Sequence, residues 1–131
     1  MGNKTVYTLL FIGWMLFITV SSLIRLDGLD TEGIRIPHAD KLVHAAFYGG
    51  MVVFGVCMSF QYKPSPSIKS KLWFWVIAAM GYGMIIEVLQ NQVFMRDGDV
   101  FDALANTVGA LLGALSLSFL FNRLPGLKWK D

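Results

Sequence analysis

The sequence predicts an all-α integral membrane protein, a bundle of four transmembrane helices with both termini in the cytoplasm. Three observations point there. Of 131 residues, 55% are apolar and only 15% charged, with a mean hydropathy of +0.56, too apolar for a soluble domain that must cover a small core with polar side chains. Four segments are long enough to cross a hydrocarbon core, which takes roughly 20 apolar residues. The lysines and arginines divide unevenly between the connections. At this length the chain is expected to form a single domain, 1–131, with its polar motifs confined to 40–113.

The first segment, 5–24, is uncharged and follows Lys4. Its apolar stretch exceeds a signal-peptide core and no A-x-A site follows, so it is expected to stay as an anchor. The second, 42–62, is uncharged apart from the titratable His44. The third, 72–94, is interrupted only by Glu87, and the fourth, 103–122, by nothing charged. Period-2 alternation is absent and each run is about twice a barrel strand, so strands are not expected.

Orientation follows from the basic residues. Lys4, Lys63, Lys69, Lys71, Arg123, Lys128 and Lys130 fall on one side, Arg25, Arg35, Lys41 and Arg96 on the other. The more basic side faces the cytoplasm. Trp14, Trp73, Trp75 and Trp129 are expected at the membrane interfaces. The connection around Pro64 and Pro66 suits anionic lipid, while a short surface helix between 25 and 39 is left open. The net charge of +2 forms no aromatic-flanked basic stripe, which argues against nucleic acid. Cys57 is the only cysteine, so the chain holds neither an internal disulfide nor a thiolate metal cage. It reads as a small packed hydrophobe.

All but one of the nine acids lie toward the outer side: Asp27, Asp30, Glu32, Asp40, Glu87, Asp97, Asp99 and Asp102, with Asp131 the exception. Asp40, His44 and Tyr48, at i, i+4 and i+8, share a stripe at the start of the second helix, with Lys41 beside it. Glu87 and Gln90 are i and i+3 near the end of the third. Asp102 and Asn106 open the fourth, on a stripe continued by Gly109 and Gly113. Alternating helices bring all three stripes to one membrane face. A charged side chain inside a span costs about 2.5 to 3.5 kcal/mol on insertion scales, so Glu87 persists by being protonated, paired, or open to a wet cavity. Arg96, Lys41 and His44 are its available partners.

Each feature also has a plainer reading. Asp40 and Asp99 fit helix N-caps. Gly109 and Gly113 form a GxxxG, which most often marks a packing groove. Tyr48 fits an interfacial aromatic, and Glu87 a structural ion pair with Arg96.

The residues resemble a family. Asp40-Lys41-Leu42-Val43-His44, followed by Phe47-Tyr48, matches the D-K-x-x-H-x-x-x-[YF] opening of VanZ-like proteins. Glu87-Val88-Leu89-Gln90 is similar to their E-x-x-Q. Arg96, Asp99, Asp102, Asn106 and Gly109 match R-x-x-[DS]-x-x-D-x-x-x-N-x-x-G. The chain departs from the pattern where the family often carries an aromatic-Pro-Gly turn; here Phe94-Met95 directly precede Arg96. The resemblance implies a multi-pass protein of the bacterial cytoplasmic membrane, in a family named for a member linked to teicoplanin resistance. It implies no particular reaction.

The expected partners are the bilayer and a cell-envelope amphiphile: a lipid-linked wall precursor, a phospholipid or a glycolipid head group. Three roles stand open at this point. In an enzyme, His44 and Glu87 form the acid/base pair, since an imidazole and a desolvated carboxylate can both be tuned toward neutral pH. Lys41 and Arg96 hold a phosphate, and Asp99 and Asp102 orient His44 or offer oxygen ligands to a divalent cation. Tyr48, Gln90 and Asn106 complete the ligand-binding set. A non-catalytic binder uses the same pocket, and a structural protein uses the cluster to lock its helices. No Ser nucleophile motif and no HExxH is present.

Overall fold

The computed structural model describes residues 3–24, 38–62, 67–93 and 100–123. They form four helices: α1 (Asn3–Leu23), α2 (Ala39–Tyr62), α3 (Ile68–Gln92) and α4 (Val100–Arg123). All four are long and apolar enough to cross a membrane, and no strand occurs among the described residues. Each helix starts two to four residues ahead of its apolar stretch. The apolar run marks the hydrocarbon, whereas the helix continues into the head-group layer, where its backbone bonds are still favourable.

Local chemistry sets the ends. His38, with a positive φ of 61°, turns the chain into α2, and its carbonyl accepts from the backbone N–H groups of Lys41 and Leu42. The helix therefore begins at Ala39, so Asp40 lies inside its first turn and does not cap it. Ser67 caps α3 through its hydroxyl, which accepts from the Ser70 backbone N–H. The segment 25–37, with its undecided surface helix, lies outside the described residues.

In lipid, apolar faces gain little by meeting one another, so association depends on close packing and on polar bonds between helices. The most extensive contact joins α2 and α4. A Cβ built on Gly113 would lie 2.5 Å from the Gly49 carbonyl oxygen, and one on Gly109 would collide with the Ala45 backbone. The GxxxG of α4 thus faces small residues of α2, and the two backbones nearly touch. Tyr48, Val52 and Val56 are fully buried along this seam.

The outer helix α1 buries the smallest share of its length and is fastened mainly by polar bonds. The Trp14 indole donates to the Phe47 carbonyl at 2.9 Å. The Gln90 amide donates to the Ser22 carbonyl at 2.7 Å. The hydroxyls of Thr8 and Tyr62 pair at 2.8 Å, and those of Thr19 and Tyr82 also pair.

Two tryptophans depart from the expectation of interfacial rings. Trp14 sits near the middle of α1 against Phe17, Phe47 and Phe54. Trp75 is buried, and its indole donates to the Ser59 hydroxyl at 2.7 Å. Both ring nitrogens find a partner inside the bundle, which removes the need for water at the interface. Trp73, 62% exposed, retains a lipid-facing position. Trp129 lies outside the described residues.

Candidate functional site

The start of α2, the end of α3 and the start of α4 meet at one end of the bundle, as the alternation of the helices requires. There the buried polar residues His44, Gln90, Asp102 and Asn106 accumulate.

Lys41 is the charge centre of the cluster. Its ammonium bonds to Asp102 Oδ1 across the α2–α4 seam and lies 3.0 Å from Asp40 Oδ2 on its own helix. Asp102 is mostly buried, whereas the Asp40 side chain is 57% exposed. The inner carboxylate therefore depends on Lys41 for neutralisation far more than the outer one does.

One turn deeper, about 6 Å from Asp40 along the axis, His44 is held by α4. Its Nδ1 donates to Asn106 Oδ1 at 3.0 Å. With the hydrogen on Nδ1, the neutral ring presents the lone pair of Nε2, which lies 3.8 Å from Asp102 Oδ2. That distance is too long for a hydrogen bond. The orienting partner of His44 is thus Asn106. An imidazole so placed can accept and return a proton beside a fixed cation.

Below this pair lies a second polar pair. Tyr48 is fully buried and its hydroxyl has no hydrogen-bond partner among the described residues. The same holds for Asn106 Nδ2, in a residue only 2% exposed. Both pack on Gly83 of α3. A Cβ there would lie 3.0 Å from Asn106 Nδ2 and 3.2 Å from a Tyr48 ring carbon. Gly83 is the residue that inspection of the motifs missed. The available signal was its place four residues before Glu87, on the same helix face.

Glu87 is half-buried on α3, within electrostatic range of the Tyr48 phenol. Gln90 is buried but turned to α1, where it bonds Ser22; it serves the attachment of that helix and not the His44 cluster. Arg96 and Asp99 lie outside the described residues. The structure therefore brings together Asp40, Lys41, His44, Asp102 and Asn106, with Tyr48 beneath them. No three His, Cys, Asp or Glu side chains gather as a metal cage among the described residues.

A half-open cleft of about 170 Å³ runs between α3 and α4 on the lipid side. Met80, Met84, Val100 and Leu104 line it, with Gly83 and Asn106 also in its wall. It gives the polar interior a lateral, apolar approach.

The VanZ/LLP1 family model matches residues 5–122. No curated protein and no solved structure matches the chain. The match spans all four helices and every motif residue named above, and the chain is a multi-pass membrane protein that belongs to the VanZ/LLP1 family.

Proposed function

We propose that this protein binds, and acts upon, the head group of a cell-envelope amphiphile at a polar site facing outward from the bacterial cytoplasmic membrane. The observation that carries the reading is the Lys41–Asp102 and His44–Asn106 pairing, buried at one end of an otherwise apolar bundle. An ionisable group inside a span, as His44 is, is costly and is retained chiefly where it serves transport, binding or proton transfer. Lys41 supplies a cation to an anionic head group, in exchange for part of its hold on Asp40. His44, with Nε2 uncommitted to a hydrogen bond, is the proton carrier, and Glu87 is the second acid/base group. Candidate ligands are a phospholipid, a glycolipid and a lipid-linked wall precursor.

The experiment is a head-group comparison. Purified protein is offered phosphatidylglycerol, a glycosyl diacylglycerol and a polyprenyl diphosphate saccharide, and bound lipid is measured for wild type, His44→Ala and Glu87→Gln. Selective retention of one class, lost in both variants at intact fold, is the expected result. Equal retention of all three by every form refutes the reading. Teicoplanin susceptibility of cells carrying wild type against His44→Ala tests the resistance link separately.

One observation favours a second reading, in which the cluster only locks the bundle: Lys41, Asp102, His44 and Asn106 are bonded chiefly to one another. In that case both variants lower stability and change no lipid preference.

A further inference from the structure

We propose that the cleft between α3 and α4 seats an acyl chain of a glycerolipid, and that the ester carbonyl of that chain accepts the hydrogen bond offered by Asn106 Nδ2. The inference rests on the proposed function and deepens it, by naming how the amphiphile lies against the protein.

Three observations lead to it. The cleft wall is apolar and carries no charged residue, and its lining residues Met84, Val100 and Leu104 are exposed on the outer surface of the bundle. In a bilayer that surface meets acyl chains. Asn106 lines the same cleft, and its amide N–H has no partner among the described residues although the residue is 2% exposed. A buried donor left unsatisfied is destabilising, so an acceptor arriving there gains more than one arriving at a solvated amide. Finally, Asn106 stands six residues past Val100, about 9 Å along α4, in the third of the helix nearest the polar end. That is the depth at which lipid chains join their head groups.

The chemistry selects the acceptor. Nδ2 only donates, which rejects an ammonium. A phosphate brought into an apolar cleft with no lining cation would carry a large desolvation cost. A neutral carbonyl meets both conditions. Tyr48, whose hydroxyl is also unpartnered, lies behind the wall against the same Gly83. Met80 and Met84 line the cleft, and their unbranched side chains change rotamer at low cost, so the amide can be uncovered without moving a helix. The head group of a lipid seated this way rises past His44, which is level with Asn106, toward Lys41, about one turn nearer the polar end.

Ester and ether lipids separate this proposal from its alternatives. Full-length protein in detergent is given dioleoyl phosphatidylglycerol or its ether-linked analogue, which has the same head group and chains but no carbonyl. Retained lipid is measured by native mass spectrometry. Wild type is expected to keep the ester form about five-fold better, the effect of one ordinary neutral hydrogen bond. Asn106→Asp keeps an oxygen for His44 but has no side-chain N–H, and it should erase the preference. Ala103→Phe narrows the cleft and should lower retention of both lipids. A mid-chain diazirine on the ester lipid should label Met80 and Met84 above Leu16 and Leu115, which face lipid elsewhere.

Equal retention of the two lipids by wild type overturns the proposal, and that is the outcome if water alone satisfies the amide. Labelling spread evenly over lipid-facing residues also overturns it. If the ester preference is absent while His44→Ala still loses head-group selectivity, the cleft is refuted and the proposed function stands. If both are absent, both fail.

Discussion

His44 of α2 and Asn106 of α4, 62 residues apart in the chain, are bound to each other at 3.0 Å across the seam between the two helices. Neither reaches solvent freely, and each fixes the orientation of the other. This single bond explains why the stripe Asp102–Asn106–Gly109–Gly113 runs as it does: the polar half sets the register that the glycines then close.

The register makes a first prediction. Gly113→Val and Gly109→Leu place side chains into the α2 backbone, where nothing flexible can yield. Overpacking of a tight core costs about 1 to 3 kcal/mol and more when backbone is displaced. Both variants should melt far below wild type in detergent or fail to assemble. Gly13→Ala and Gly81→Ala, which meet nothing within 4 Å, should be neutral or slightly stabilising, because alanine is the better helix former. Equal Tm losses at all four positions would contradict the packing.

The ion pair makes a second. Lys41→Met alone strands the mostly buried Asp102 carboxylate, at a cost approaching the 3 to 5 kcal/mol typical of broken buried pairs, whereas Asp102→Asn leaves Lys41 its contact with Asp40 and should cost less. The double variant leaves no charge stranded at that contact and should recover much of the loss. A double-mutant cycle on thermal stability measures the coupling, and strict additivity would mean that the pair is not formed.

A third concerns His44 and Glu87. His44→Ala removes the donor to Asn106 Oδ1 and should cost about 1 to 3 kcal/mol without preventing insertion. Glu87→Gln keeps shape and hydrogen-bonding capacity and should cost less than His44→Ala. Chemical or thermal denaturation of the purified variants ranks the two. A larger loss for Glu87→Gln would identify Glu87 as a structural ion-pair member.

The four spans were legible in the sequence because twenty-odd apolar residues have few other uses; the helices start two to four residues ahead of the apolar runs, where polar residues continue them, and α1 and α3 stop one and two residues short of the runs' ends. The GxxxG was legible for the same reason of repeat and spacing. What escaped was direction. Gln90 shares a helix end with Glu87, yet it turns to Ser22 on α1, and spacing along one helix does not reveal which neighbour a side chain meets. Gly83 escaped because its contribution is an absence of atoms, visible only once Tyr48 and Asn106 lie against it. Trp14 and Trp75 were drawn inward by acceptors at Phe47 and Ser59, which composition alone does not locate.

Attachment of α1 supplies a fourth prediction. Since apolar contact in lipid holds helices weakly, Gln90→Leu combined with Trp14→Phe should free α1 while leaving the α2–α4 seam intact. A cysteine at Ser22, in a Cys57→Ser background, should then react faster with a thiol reagent. An unchanged rate would show that packing alone holds the helix.

Orientation supplies the fifth. With position 67 on the cytoplasmic side and position 98 outside, an impermeant thiol reagent applied to intact cells should label Gly98→Cys and spare Ser67→Cys. The reverse pattern would turn the site toward the cytoplasm and change its candidate ligands.

The partners Lys41 and Asp102 stand 61 residues apart in the chain, and this separation orders events during synthesis. At about 5 to 20 residues per second, α2 emerges roughly 3 to 12 s before the carboxylate that neutralises its lysine. For that interval a cation and an imidazole sit at the membrane with their α4 partners still unmade. Until α4 is made, the polar start of α2 is expected to stay in the head-group layer, with Asp40 as the partner that Lys41 has on its own helix.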